Sequence, residues 1–379
     1  MRILFVTNIC PHYRIKAFEL LSTLHPVRFR FFSAAGQQKY WERRNALTPG
    51  EFDGGYVRSW GWGWFRVVPA LYLELLQSHY DVLIKCINGR IPLLLSFFIA
   101  GTRKKPFILW TGLWHHPQTL FHRMTFPIVR HIYCNADAVV VYGEHTASYL
   151  VGLGVERHRI FHAWQAVDNA LHSREVSDEE LMKVRQEANC KERKIILYVG
   201  RIEEQKGLEY LISVLPGVMK QCNAAFIAVG TGSLTSDMEH QLLNAGVSDF
   251  HFIGYVPNDR LAAYYRAASV LVLPSVTTND FKEPWGLVVN EAMNQACPVI
   301  ATDSVGAAMG GLIQHGKNGL VVPERNPAAL GKALVQILQN ESLHQSLSDN
   351  AKAEVSVWTC QRMVSGFDAA IRFVSRDIK

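Results

Sequence analysis

The sequence predicts an α/β chain folded as two doubly wound parallel-sheet domains. Short apolar runs that read as buried strands alternate with stretches of helical spacing through both halves. At 379 residues the chain is long enough for two hydrophobic cores. Hydrophobic residues make up 49% and charged residues 19%, the balance of a globular protein and not of a disordered one.

Composition narrows the classes further. The seven cysteines (Cys10, Cys86, Cys134, Cys190, Cys222, Cys297 and Cys360) are scattered, without Cys-x-x-Cys or zinc-like spacing, and read as reduced residues of a cytosolic protein. Met1-Arg-Ile-Leu-Phe-Val-Thr-Asn8 has too short an apolar run for a signal peptide and reads as a first strand. The longest apolar run, Ile91 to Gly101, is about half of the roughly 20 residues that a membrane span needs. The net charge of +6 is uneven: 19 Lys and Arg face 10 Asp and Glu in residues 1–170, against 20 and 23 in the remainder. Seven of the nine tryptophans also lie in the basic half, which fits an anionic membrane surface or a basic surface over an aromatic core. Nothing in the pattern calls for nucleic acid.

In the first half, Ile3 to Thr7 is a strand, Asn8 to Pro11 a turn, and Tyr13 to Leu24 a helix. Val27 to Ser33 alternates as a second strand, while Gln37 to Gly55 reads as polar and irregular. Arg58-Ser-Trp-Gly-Trp-Gly-Trp64 places Trp60, Trp62 and Trp64 on one face if extended, for core packing, a saccharide groove or lipid contact. Strands follow at Tyr80–Ile87, Lys104–Trp110 and Ala136–Tyr142, with a buried helix at Ile91–Ala100. Leu120 to Cys134 is amphipathic but is interrupted by Pro127. Ser177-Asp-Glu-Glu180 is a capping box opening a polar helix, so residues 169–192 read as a hinge region.

In the second half, Lys194 to Gly200 is a buried strand, followed by a helix with Leu208, Leu211, Ile212, Leu215, Val218 and Met219 on one face. Arg201 sits at that strand's exit and Lys206 at the helix start, so both cations can converge on one anion, such as a diphosphate leaving group. Strands recur at Ala225–Gly232, Phe250–Gly254, Val270–Pro274, Val299–Thr302 and Gly319–Pro323. Asn258 and Asn326-Pro327 read as helix starts. Phe281 to Pro298 is the chain's most informative stretch. A helix beginning at Gly286 opens where a strand ends, and its free N–H groups favour a phosphate. Glu283 before that helix and Glu291 in its second turn would repel a bare phosphate but accept hydrogen bonds from hydroxyls. Phosphate donors flanked by hydroxyl-binding carboxylates suit a sugar nucleotide.

Glu283-Pro-Trp-Gly-Leu-Val-Val-Asn-Glu-Ala-Met293, followed by Cys-Pro-Val-Ile-Ala-Thr-Asp303, resembles the Glu-x7-Glu signature of the family-4 retaining glycosyltransferases, which have the GT-B fold. Gly200-Arg-x4-Lys-Gly207 resembles the family's donor-phosphate pair. The resemblance is close through the second half and looser in the first. It implies two Rossmann-like domains facing across a cleft: 1–170 for the saccharide acceptor, a linker at 171–192, 193–356 for the nucleotide sugar, and a helix at 357–379 crossing back to the first domain. It implies transfer of a sugar from a nucleotide-diphosphate sugar with retained configuration, no metal and no further cofactor. Arg201 and Lys206 would stabilise the departing diphosphate, with the backbone of Gly286, Leu287 and Val288. Glu291 would accept from ribose hydroxyls, and Glu283 from hydroxyls of the transferred sugar. Gly200 and Gly230 would lie near the nucleotide, and Val256 in the turn that reads the base. His115 or His116 would stand near the sugar. Asn8 to Arg14 resembles an acceptor-side loop, with His12 and Arg14 as surface contacts to an anionic acceptor, although the glycine pair of many members is absent. A saccharide or lipid-linked saccharide acceptor at the inner face of a membrane, as in surface polysaccharide or glycolipid assembly, fits the basic half. The alternatives are a non-hydrolysing sugar-nucleotide epimerase and a non-catalytic sugar-nucleotide-binding protein.

Overall fold

The computed structural model describes residues 1–32, 52–61, 67–190 and 192–376. Arg43, Arg44, Trp41, Trp62 and Trp64 lie outside the described residues. The chain divides into two compact units: residues 1–114, 120–165 and 360–379 form the first, and 115–119 with 166–359 the second.

The first unit is built on seven parallel strands: β1 (Ile3–Thr7), β2 (Val27–Phe31), β3 (Asp53–Tyr56), β4 (Val82–Cys86), β5 (Phe107–Thr111), β6 (Ala138–Val141) and β7 (Ile160–His162). Their order in the sheet is β3-β2-β1-β4-β5-β6-β7. β1, β4, β5 and β6 are buried at every position, as expected of strands covered on both faces. The order reverses between β1 and β4, so a crevice opens at their carboxyl ends. The Phe5 ring lies 5.1–5.7 Å from those of Phe18, Phe29, Trp110 and Phe367, the last from the helix Cys360–Ser375. That helix presses so close that a Cβ on Gly366 would meet the His162 carbonyl at 2.0 Å.

Three expectations for this unit are corrected. β3 begins within the stretch read as irregular, Gln37 to Gly55, and ends one residue beyond it. Asp-Gly-Gly-Tyr has no strand pattern, yet Gly54 lets the edge strand pass the Phe52 and Phe31 rings, which a Cβ would approach to 2.7 and 3.3 Å. Pro127 does not interrupt its segment: one helix runs from Leu120 to Asn135, tied near its end by buried Ile132 and Tyr133 and by Arg130 donating to the Leu153 carbonyl at 2.8 Å. Packing there outweighs the lost backbone bond. The first helix begins at Ile15, after a single 3-10 turn at His12–Arg14. Trp60 pairs antiparallel with Val67 through two backbone bonds and is 54% exposed, with the Arg58 guanidinium 4.2 Å from its ring.

Lys85 is the unexpected residue of β4. It is fully buried, its ammonium donates to the carbonyls of Cys86 and Asn88, and burial pushes its pKa down to about 7. Between that value and 10.5 the unfolded chain holds a proton that the native site does not. Native stability therefore rises with pH through this window, by at most about 1.4 kcal/mol per unit from this group. Lys85→Met is expected to remove that contribution. Urea midpoints at pH 7.5, 8.5 and 9.5 should climb less steeply for the variant, and parallel curves would contradict the depressed ammonium.

The second unit has six parallel strands: β8 (Lys194–Val199), β9 (Ala224–Val229), β10 (Phe250–Gly254), β11 (Val270–Leu273), β12 (Val299–Thr302) and β13 (Leu320–Val322), in the order β10-β9-β8-β11-β12-β13. The predicted apolar face of the helix Leu208–Cys222 is buried, and it shares a core with Leu330, Leu334 and Ile337 of the helix Pro327–Gln339. Asn326 caps the latter helix as expected, accepting from Ala329 N–H at 3.0 Å. Asn258 is the first residue of its helix, with Pro257 at the cap position. The segment read as a hinge is packed within this unit. Its helix Asp178–Glu187 starts on the predicted Ser177–Glu180 capping box, and Glu187 accepts from Arg260 at 2.9 Å and from the Tyr264 hydroxyl at 2.6 Å. The architecture of both units is doubly wound and Rossmann-like.

Candidate functional site

The residues singled out in the second half gather where the strands of the second unit end. A Cβ on Gly230 would lie 1.9 Å from the Gly200 carbonyl, and both glycines hold positive φ, so the exits of β8 and β9 meet backbone to backbone. Gly230 N–H donates to the Gly254 carbonyl at 2.7 Å, which leads into buried Val256. Gly207 (φ 61°) starts the helix Leu208–Cys222, and a Cβ there would meet the Pro274 carbonyl at 2.1 Å. Val276 N–H donates to the Gln205 carbonyl at 3.0 Å. These contacts set Lys206 beside the end of β11.

There Lys206 forms an ion pair with Glu283, and both side chains are mostly buried. Ser275 donates to the same carboxylate oxygen at 3.1 Å, and the Phe281 ring centroid lies 5.5 Å from the ammonium. Ser275 was missed in the sequence, since a serine after a proline carries no signal. The structure thus gives Lys206 a carboxylate partner, where the sequence reading paired it with Arg201. Arg201 is exposed at the exit of β8, and its carbonyl accepts from the buried Tyr198 hydroxyl. Burial, and then the Glu283 charge, push the Tyr198 phenol up, while Arg201 pulls it down, so both charges act on one phenol.

Beyond Glu283 the chain turns through Gly286 (φ 89°), where a Cβ would come within 2.5 Å of the Leu273 side chain. Trp285 is buried and donates its indole N–H to Asn290 at 2.8 Å. Among the described residues, the backbone N–H groups of Gly286, Leu287 and Val288 have no protein acceptor. The helix runs only from Val288 to Asn294, which places Glu291 in its first turn and not its second. The Gly286 conformation delays the helix by two residues. Glu291 is 8% exposed and accepts from the Tyr265 hydroxyl at 2.6 Å. Tyr265 was also missed, because it sits among the apolar positions of its helix. Tyr265→Phe is expected to cost about 1–3 kcal/mol by stripping a donor from a buried carboxylate, as read by chemical denaturation. A loss below about 0.5 kcal/mol would mean that solvent replaces the hydroxyl.

Residues 115–119 belong to the second unit, where Gln118 N–H donates to the Asn279 carbonyl at 2.5 Å. His115 has a buried Nε2 without a partner among the described residues, and its imidazole is held below the usual histidine range by burial first, then by Lys282 and His116. The carbonyl of His116 accepts from the Gln118 side chain at 2.7 Å. The Thr278 backbone acts on His115 in the opposite sense, raising it. Thr277, one residue before Thr278, donates its hydroxyl to Glu324 at 2.7 Å, a contact absent from the sequence reading.

His12 and Arg14 lie in the first unit. Arg14 is not the surface residue expected: it is 4% exposed, and its guanidinium carbon lies 5.1–5.6 Å from the ring centroids of Tyr13, Trp110 and Tyr142. The 3-10 turn before the helix points it inward. Among the described residues no three His, Cys, Asp or Glu side chains are grouped to hold a metal ion, and no helix is long and apolar enough to cross a membrane.

Residues 181–354, which contain the Lys206–Glu283 pair and Glu291, match the family model described as glycosyl transferases group 1. The chain is similar to an uncharacterized glycosyltransferase of Methanocaldococcus jannaschii, 36% identical over 163 residues, 43% of this chain and 40% of that protein. An alpha-D-kanosaminyltransferase of Streptomyces kanamyceticus is 28% identical over 246 residues, 62% of this chain and 61% of the relative. A phosphatidyl-myo-inositol mannosyltransferase of Mycobacterium leprae is 35% identical over 157 residues, 40% of this chain and 39% of that one. The matches thus span between two fifths and three fifths of these relatives' lengths. The Anabaena protein HepE, solved in complex with UDP, shares the fold over 98% of this chain and 100% of its own, with a TM-score of 0.77 and 17% identity. The chain has the GT-B fold, with two Rossmann-like units.

Proposed function

We propose that the chain is a retaining, metal-independent glycosyltransferase of family 4, moving a sugar from a nucleotide-diphosphate sugar to a saccharide or lipid-linked saccharide. The observation that carries this reading is the Lys206–Glu283–Ser275 cluster in the segment that matches the group 1 model, on the same short stretch as three backbone N–H groups without acceptors. The N–H groups and the two cations Lys206 and Arg201 offer a departing diphosphate the charge compensation it needs in a partly dry site. Glu283 holds the ammonium in place before the donor arrives and accepts from the sugar hydroxyls afterwards. Glu291, fixed by Tyr265, accepts from the ribose. Gly200, Gly230 and Val256 shape the nucleotide side. His115, whose imidazole burial holds below the usual histidine range, stands beside the transferred sugar. The UDP complex of HepE and the named transferase relatives support a nucleotide-sugar donor.

The test is a thermal-shift screen of UDP, GDP, ADP and dTDP, followed by incubation of the matching nucleotide sugar with and without saccharide acceptors. Stabilisation by one nucleotide and product formed only with acceptor are expected. No shift with any nucleotide would refute the donor site, and an isomerised donor formed without acceptor would assign an epimerase.

A cytoplasmic chain with peripheral contact to an anionic inner membrane face completes the proposal. Leu120, Met124 and Ile128 lie four residues apart on one helix, are 76, 73 and 49% exposed, and share that helix with Arg123 and Arg130. Co-sedimentation with anionic but not neutral vesicles, weakened by salt, is the expected result. Equal recovery with both vesicle types would remove the membrane from the proposal.

A further inference from the structure

The crevice of the first unit contains a feature that the donor chemistry does not use. At the carboxyl ends of β1, β4 and β5 lies a cavity of about 230 Å³, lined by Asn8, Tyr13, Arg14, Asn88, Trp110 and Tyr142 among others. It stands where the strand order reverses, the place where open parallel sheets take ligands. Among the described residues no acidic side chain lines it. Arg14 brings five N–H donors to this space, 4% exposed. Its only hydrogen-bond acceptor among the described residues is the Met363 thioether, 3.2 Å from Nη1. Trp110, 3% exposed, has a buried indole N–H with no partner among the described residues. Native proteins rarely leave buried donors unmet, and a guanidinium least of all. The aromatic faces around Arg14 stabilise its charge but satisfy none of its in-plane N–H groups. The floor is meanwhile rigid: Asn88 donates to Asn8 at 2.7 Å and to Thr7 at 3.2 Å, and receives Lys85 at 3.4 Å.

We propose that this cavity is an oxyanion pocket that takes the acid group of an anionic sugar. The planar guanidinium fork matches a carboxylate or phosphate in two-pronged fashion, and the indole N–H adds a third donor. The volume lies below the range of about 300–1,000 Å³ usual for larger ligands, which fits one substituted sugar ring and not a nucleotide diphosphate. That the bound sugar is the acceptor of transfer rests on the function proposed above; the oxyanion pocket itself does not.

Binding is measured by calorimetry on the full chain with D-glucuronate, D-glucose 6-phosphate, inorganic phosphate and D-glucose. Both anionic sugars are expected to bind at least about tenfold more tightly than glucose and than inorganic phosphate. Arg14→Met should weaken glucuronate about 10–100-fold, Arg14→Lys less, and Trp110→Phe about 2–10-fold. If Arg14→Met does not fold by circular dichroism, the Lys and Phe variants decide. Glucose binding as tightly as glucuronate, no binding of either anionic sugar, or undiminished affinity in the folded variants would overturn the pocket. Inorganic phosphate binding as tightly as glucose 6-phosphate would overturn its assignment to a sugar. UDP stabilisation reads the other unit. Its absence beside intact glucuronate binding would refute the donor reading alone.

Discussion

Lys206→Ala is expected to lower turnover about 10²–10³-fold, the usual loss when one charge-stabilising donor leaves a preorganised site. A purely catalytic lysine would leave the fold untouched, but this one does not stand alone. Its ammonium is the ionic partner of Glu283, and the two side chains are 13 and 9% exposed. Removing it takes the cation from a mostly buried carboxylate that still accepts from the Ser275 hydroxyl. Breaking a buried pair from one side costs about 3–5 kcal/mol, and the open end of this site should bring the loss to the lower end of that range. The two effects separate in a double-mutant cycle. Adding Glu283→Gln to Lys206→Ala should recover about 1–3 kcal/mol of stability without recovering turnover. Urea denaturation and steady-state rates on the four proteins provide the check. Additive stability changes would mean that the pair is not coupled in solution, and an unchanged rate in Lys206→Ala would take the lysine out of the chemistry.

Gly207→Ala should destabilise the second unit by about 2–4 kcal/mol. The left-handed conformation at φ 61° costs an alanine about 1 kcal/mol, and the added Cβ must move away from a backbone oxygen 2.1 Å off. No rotamer change can relieve a clash with the Pro274 carbonyl, so either β11 or the helix start has to shift. Both carry the site, because Lys206 precedes Gly207 and Ser275 follows Pro274. The substitution is therefore expected to raise KM for the donor together with the loss of stability. Gly217→Ala is the control on the same helix. It is exposed, its Cβ would meet nothing within 4 Å, and it should stabilise by about 0.5–1 kcal/mol. Equal urea midpoints for the two variants would show that the close approach at Gly207 is not maintained in solution.

The strands were the most legible part of the sequence, because parallel strands buried on both faces leave continuous apolar runs such as Val270–Leu273 and Val299–Thr302. The edge strand β3 was illegible for the opposite reason: Gly54 and Gly55 carry no side chain to declare a face. The charged motif residues could be named from their types and order, but their pairing could not. Electrostatics alone sent Lys206 toward Arg201 and a shared anion. The fold instead supplies Glu283, because the Gly207 and Gly286 turns bring the ends of β8 and β11 together. Arg14 looked like a surface residue since nothing local marks burial, and its aromatic surroundings come from β5, the residue after β6 and the first turn. Tyr265 and Ser275 were invisible because their role is to orient a carboxylate distant in the chain.

The first unit is written in the sequence as separate pieces, with its last helix, Cys360–Ser375, following the whole of the second unit. During synthesis the ribosome therefore finishes 166–359 while Phe5 and Trp110 still lack Phe367, and the wall beside His162 is missing until Gly366 emerges. The nascent chain carries an open aromatic core until Cys360–Ser375 has been made, and the arrival of that helix, not completion of either sheet, is the event that seals it. Chains cut short by premature termination after Thr359 would keep that core exposed and be prime clients for chaperones and proteases.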